Sequence, residues 1–428
     1  MPGTVHVTDP GFFEWRKAVK AASVSVDITP QEQFWMEGYI HPIRKEPGLG
    51  IHDEPRATLL LVEVEGVRAL FVSIDVCILK AETTAAMRAG LSDLLGVEME
   101  HIVINSIHTH SAANGFEGAG AMGIPTTPGY VEYVTGLVLQ AATRLCDRER
   151  DVKAQMLVRH VRGWYSNRND AELPFDDEAL ILRFVDEGGS VAGAMLNFNC
   201  HATVVGPTNR LLTTDVQGGV RDELVDWIGC VPYIFTGASG DLGNRQFRQG
   251  NDFAELRRVA NGIAGEIMKG SFDPVELSAP KVSRFSHHVH YNNEQFYPEY
   301  QKQLNEVLEV LANNPTFDEK KLADTEKAML EGQLERHEMD FTVEMTTLDF
   351  GSVVFVTFPG ELASELGGMI KGAFEGTGKH PVVIGYANDY QGYFVAAHTY
   401  GGTSYESYVT QMPKGWTEEM LETYREQL

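Results

Sequence analysis

Four short segments carry side chains able to bind a metal or move a proton, and each follows a strand-like run. A strand fixes the backbone while the loop beyond it leaves side chains accessible. The first segment, INSIHTHSAANG at 104–115, sets His108 and His110 two residues apart. Alternate residues on a strand face one side, so both imidazoles are expected to point the same way. Such a pair makes half of a metal site, although HxH alone fits a core or surface role equally well. The second, NFNCHATVVG at 197–206, places His201 between an apolar run and small residues. A satisfied core histidine would explain it alone; the repeated order of strand, histidine and small residues favours a ligand. In the third, VVFVTFPGE at 353–361, Pro359 and Gly360 end a strand and Glu361 is expected to open a helix. The macrodipole or a capping role would account for a carboxylate there too. The fourth, at 382–407, crowds Tyr390, Tyr393, Tyr400 and Tyr405 among Gly385, Gly392, Gly401 and Gly402. Loop tyrosines commonly pack; the glycines permit sharp turns or close substrate approach. A further cluster, His287, His288 and His290, has no turn or small residues beside it and reads as surface strand.

The elements that must position these side chains alternate. Strand-like runs fall at 57–65, 69–76, 102–107, 179–185, 191–199, 233–236 and 353–358. Many are continuous and β-branched, as in strands buried on both faces. Helical patterns fall at 82–95, 127–145, 216–228, 253–268, 299–312, 318–333 and 362–374. The alternation predicts an α/β fold with central β-sheet layers covered by helices. No internal repeat is visible. One domain over 1–428 is expected, with a charged, Lys/Glu-rich helical insertion on its surface at about 291–340.

The ordered set of HTHS at 108–111, NFNCHAT at 197–203, FPGE at 358–361 and ANDYQGY at 387–393 resembles the neutral (non-lysosomal) ceramidase family. VDITPQEQFWMEGY at 26–39 and His52-Asp53 resemble it too, and the similarity runs from about 26 to 406. The resemblance implies that family's catalytic-domain fold and one zinc per chain, held by His108, His201, Glu361 and Tyr393. It implies His110 in the substrate pocket, Arg168 beside the substrate amide and Tyr405 on the tetrahedral intermediate. Asp241, on the GASGD turn, is expected to orient water or a histidine ligand. Two departures stand out. The 240–244 stretch GDLGN has Gly243 where the family carries a serine near the metal, with Ser239 out of register. The chain also stops soon after 406, so no C-terminal β-sandwich is expected.

Zinc can lower the pKa of water to about 7 and polarise a carbonyl. The expected function is therefore hydrolysis of an amide, lactam or ester of a small soluble substrate by metal-activated water. His110 would serve as general base or acid, and Arg168 and Tyr405 would stabilise the oxyanion. A metal-dependent lyase or isomerase of a small polar metabolite, and a non-catalytic binding protein, are the alternatives. Mixed His, carboxylate and phenol ligands also suit other divalent metals.

Composition narrows the partners. Of 428 residues, 43% are hydrophobic and 22% charged, so a large core forms without metal. A net charge of −25 repels phosphate backbones and excludes nucleic acid. Cys77, Cys146, Cys200 and Cys230 fit no CxxC pattern and read as buried thiols of a reducing compartment. The N-terminal MPGTVHVTDPGFFEWRKAV lacks an apolar signal core, and no run is long enough to span a bilayer. A cytoplasmic protein without membrane insertion is expected, with homo-oligomerisation left open.

Overall fold

In the computed structural model, which describes residues 18–116, 123–401 and 404–428, the unbroken apolar runs become strands covered on both faces. The segment 1–17, read above for targeting signals, and Gly402 lie outside the described residues.

The three larger sheets share one plan. The first runs Ile102–Ser106, Val67–Ile74, Arg56–Val64, Val19–Asp27, with Arg150–Asp151 at its edge. The second runs Tyr233–Phe235, Val191–Asn197, Glu178–Val185, Lys153–His160, with Asp273–Val275 at its edge. The third runs His380–Ile384, Val353–Thr357, Glu338–Gly351, Leu277–Asn292. In each, antiparallel strands lead into one parallel pair, namely Val67–Ile74 with Ile102–Ser106, Val191–Asn197 with Tyr233–Phe235, and Val353–Thr357 with His380–Ile384. A parallel pair needs a crossover. Helices Ala81–Leu95, Asp215–Ile228 and Ser364–Gly372 supply it, and Tyr130–Ala142, Phe253–Ile267 and Trp416–Glu426 follow. The fold therefore contains a threefold recurrence that the sequence does not show. What recurs is strand order and burial, which many apolar side chains satisfy equally.

Burial explains the uninterrupted runs. Leu60, Val62 and Phe71 of the first sheet meet Leu182, Phe184 and Tyr233 of the second and Phe350, Phe355 and Ile384 of the third in one central core. The opposite faces each take two helices. Leu59, Leu61 and Val72 pack on Met87, Leu91 and Val138. Ile181 and Leu196 pack on Val220, Leu224 and Ile263, and Val354 and Val356 on Leu366, Ile370 and Leu421. Two of the three crossover helices stop where glycine takes a left-handed conformation, at Gly96 (φ 63°) and Gly229 (φ 99°).

The insertion is a pair of helices, Tyr297–Ala312 and Phe317–Leu334, carried between the long strands Leu277–Asn292 and Glu338–Gly351. It has its own small apolar cluster of Leu304, Val307, Ala323 and Leu330. Of these two strands the sequence reading caught only the 287–290 stretch as surface strand, because the rest of their pattern is interrupted and largely polar. Two expectations are corrected. Glu361 does not open a helix: it lies on the short strand Glu361–Leu362, and the helix begins only at Ser364. The cysteines are not all buried: Cys146 is exposed and Cys230 half-buried, while Cys77 and Cys200 are buried. Among the described residues, no helix is long and apolar enough to cross a membrane.

Candidate active site

The C-terminal ends of the three parallel strand pairs converge, and crevices at such strand ends are where open α/β sheets bind ligands. Beyond Ile74, Asn197 and Thr357 come Cys77, His201 and Glu361; beyond Ser106, Phe235 and Ile384 come His108, Ser239 and the tyrosine loop.

His108 lies past its strand in a left-handed conformation (φ 58°), with its N–H donating to Val76 O (3.1 Å). The imidazoles of His108 and His110 do converge, but through this turn and not by strand alternation. The His108 Nδ1 lies 2.9 Å from the Cys77 carbonyl. A carbonyl only accepts, so Nδ1 carries the proton and Nε2 presents a lone pair. His201 repeats the device, with Nδ1 3.3 Å from the Ser239 carbonyl and Nε2 buried without a hydrogen-bond partner. Glu361 lies between them: Oε1 is 3.4 Å from His108 Nε2, and Oε2, itself without a hydrogen-bond partner, is 3.6 Å from His201 Nε2. Ligand atoms of all three buried residues lie within 4.8 Å of one another. Two lone pairs and a carboxylate facing each other in a dry site are costly unless a cation joins them. This donor set fits zinc and several other divalent metals.

Glu361 and Tyr393 are register partners on adjacent parallel strands. The Tyr393 hydroxyl lies 3.3 Å from Arg168 Nη2. Burial and Glu361 push its pKa well above the ordinary phenol range, against the pull of Arg168. Tyr390 donates to Glu361 Oε1 at 2.5 Å, and Tyr386 stacks on His108 with ring centroids 4.3 Å apart. The Tyr405 ring meets Tyr393 edge-on at 5.6 Å.

His110 Nε2 stands 3.1 Å from His108 Nε2. Burial, then His108 and Arg168, hold His110 well below its usual range, so it is neutral. Arg168 is half-buried and salt-bridged through Nε to Glu406, whose other oxygen accepts from Asn169 Nδ2 (3.1 Å). Asp241 does not reach the histidines. Its carboxylate accepts from Asn167 Nδ2 and Ser364 N, both at 2.8 Å, and its carbonyl accepts from Arg168 N at 2.8 Å. It is a positioning residue that ties the Arg168 loop to the helix after Glu361, and burial pushes its pKa up to about 6. The Ser239 carbonyl orients His201 instead.

His108, His110, Arg168, Glu361, Tyr393 and Tyr405 line one cleft of about 780 Å³. Gly243 lines it too, and a Cβ there would lie 3.8 Å from Arg168 Cβ and 4.0 Å from His201 Cβ, so a small side chain would fit. Sequence reading missed Cys77, Tyr386, Ser239 as an orienting carbonyl, and Glu406. Carbonyl ligation leaves no trace in residue type, and Glu406 is one acid among 60 Asp and Glu. The His287, His288 and His290 cluster lies on the strand Leu277–Asn292, where exposed His288 and His290 face Asp340.

No protein-family model matches the sequence. Neutral ceramidase A of Dictyostelium discoideum is 24% identical over 212 residues, 45% of this chain and 30% of that protein. Neutral ceramidase 1 of Arabidopsis thaliana is 27% identical over 226 residues, 47% of this chain and 28% of that protein. The matched segment thus spans under a third of these relatives. The crystal structure of neutral ceramidase from Pseudomonas aeruginosa superposes with a TM-score of 0.72 at 18% identity, covering 96% of this chain and 75% of that one. The described chain therefore has the fold of that neutral ceramidase structure.

Proposed function

We propose that this chain is a zinc-dependent hydrolase that cleaves an amide bond, or a related lactam or ester, in a small soluble substrate. The observation that carries this reading is the convergence of His108 Nε2, His201 Nε2 and the Glu361 carboxylate on one buried point, with His108 and Glu361 lining the cleft. Similarity to neutral ceramidases supports an amide as the scissile bond.

A zinc ion held by His108, His201, Glu361 and Tyr393 would polarise the carbonyl and acidify water. The chain's own groups do the rest. His110, neutral and beside the ligand cluster, would serve as general base and then general acid towards the leaving group. Arg168 and Tyr405 face the cleft as donors for the carbonyl oxygen as it gains charge. Glu406 and Asp241 hold Arg168 in place. Gly243 offers no hydroxyl where the ceramidase family carries a serine, and this supports a substrate other than long-chain ceramide.

The test is metal analysis with an amide, ester and ceramide panel. Purified protein should hold about one metal per chain, removable by chelator. His108→Ala and His201→Ala should each abolish turnover and leave the fold intact, because the sheets' cores are independent of the cluster. Full activity without metal would overturn the proposal.

A further inference from the structure

The chain carries 60 acidic and 35 basic residues, and several of its arginines pair with a carboxylate. Arg68 binds Glu63 and Glu149, Arg258 binds Glu255, and Arg168 binds Glu406. The mouth of the cleft departs from this. Arg245 and Arg248 both line it, and among the described residues neither has a carboxylate within salt-bridge distance. They are presented together by one tight turn, in which the Asn244 carbonyl accepts from the N–H groups of Phe247 and Arg248 at 2.9 Å. Asn244 lines the same cleft, is 1% exposed, and its Nδ2 donor has no hydrogen-bond partner. Burial and the neighbouring Arg168 pull Arg245 below the ordinary arginine range.

Exposed arginines can simply be solvated. The buried Asn244 amide cannot, and an unpaired polar group in such a place is costly. Arg245, Arg248 and the buried Asn244 amide stand together on one side of the cleft and are complementary to an anion. We infer that the substrate amide carries an anionic group, a carboxylate or a phosphate, that pairs with Arg245 and Arg248. Guanidinium forks match both groups bidentately. This rests on the amide-hydrolase reading of the same cleft. It assigns the substrate class: an acylated amino acid or acylated amine phosphate, not a neutral lipid amide. The negative surface would disfavour such anions, and the arginines reverse that locally.

The experiment compares matched amides on the metal-loaded protein. N-hexanoylglycine is set against N-hexanoylglycinamide, and N-hexanoylethanolamine phosphate against N-hexanoylethanolamine. At least one anionic member should exceed its neutral partner about tenfold or more in kcat/KM. In the Arg245→Gln/Arg248→Gln double variant that preference should fall about 10- to 100-fold, mainly through KM. The pair that shows the preference identifies carboxylate or phosphate. Equal turnover of charged and neutral partners, or a preference unchanged in the variant, overturns the inference and leaves the hydrolase reading standing. Absence of any amide turnover overturns the hydrolase reading instead. Calorimetry with N-hexanoylglycine and inorganic phosphate then decides the inference separately: about 10- to 100-fold weaker binding by the double variant supports it, and equal or undetectable binding by both proteins overturns it.

Discussion

Each histidine in the ligand cluster is set by a main-chain carbonyl, at Cys77 for His108 and Ser239 for His201. A side-chain substitution at those positions leaves the carbonyl in place, so the hydroxyls around Glu361 are the more informative targets. Tyr390 donates to Glu361 Oε1, and removing an outer partner of this kind costs about 10- to 100-fold in metal affinity. Tyr390→Phe should show that loss in a competitive metal titration; wild-type affinity would make the contact incidental. Tyr393 and Tyr405 separate by role. If Tyr393 ligates the metal as proposed, Tyr393→Phe removes that oxygen, so metal content should fall and added metal should restore part of the activity. Tyr405→Phe should keep its metal and lose rate, by about 10²–10³ for one oxyanion donor. The competing explanation is that both rings only pack against each other, as their edge-on contact allows. Two variants near wild type in metal content and turnover would establish that.

The loops that bring the ligands together depend on close backbone approach. At Gly240 a Cβ would lie 2.7 Å from Glu361 O and 3.1 Å from Leu362 O, atoms that cannot move without moving the ligand. Gly240→Ala should lower metal affinity at least about tenfold and stability by about 1–3 kcal/mol, as for other overpacked sites. Metal titration and thermal melting read the two together, and no change in either would refute the argument. The crossover helix Asp215–Ile228 carries a different constraint. Its first residue, Asp215, is buried with φ 52° and accepts from the N–H groups of Val204, Val205 and Val216. Burial outweighs these donors and pushes its pKa up to about 6. An unfolded aspartate titrates near ~3.9. The folded value is the higher one, so this contribution to stability is complete below about pH 4 and is lost as pH rises through about 6. The loss is roughly 3 kcal/mol. Asp215→Asn does not titrate. The stability of wild type relative to this variant should therefore fall by that amount between pH 4 and 7 in urea denaturation; a gap independent of pH would rule the mechanism out.

At the scale of the whole molecule, three similar units close around a common core, and the helical pair 297–334 stands outside that plan. It rides on strands paired from Leu277 and Gly351 out to Asn292 and Glu338. It touches the site side of the molecule through Met329, which packs with the Tyr393, Val395 and Val409 cluster. Because Asn292 and Glu338 are register partners, a short turn can join them directly. Deleting 293–337 in this way should leave the metal bound, since no ligand lies in the segment, and should lower turnover by loosening Tyr393 and Tyr405. Metal content and rate on the truncated chain check this, and loss of metal would show that the pair supports the site itself.

Read alone, the residues determined a good deal: the α/β class, most crossover helices and buried strands, and the segments holding His108, His201, Glu361 and Tyr393. These are legible because burial on both faces imposes apolar runs, and because ligand side chains follow the strands that hold them. Only the tertiary structure decided that Glu361 lies on a strand beside Tyr393, that Asp241 braces a loop, and that Glu406 neutralises Arg168 across 238 residues of sequence. The threefold recurrence and the unpaired Arg245 and Arg248 were equally invisible. The reason is common to all of them. Pairing across sheets and between distant loops depends on where main chains converge in space, and no local pattern of residue types records that.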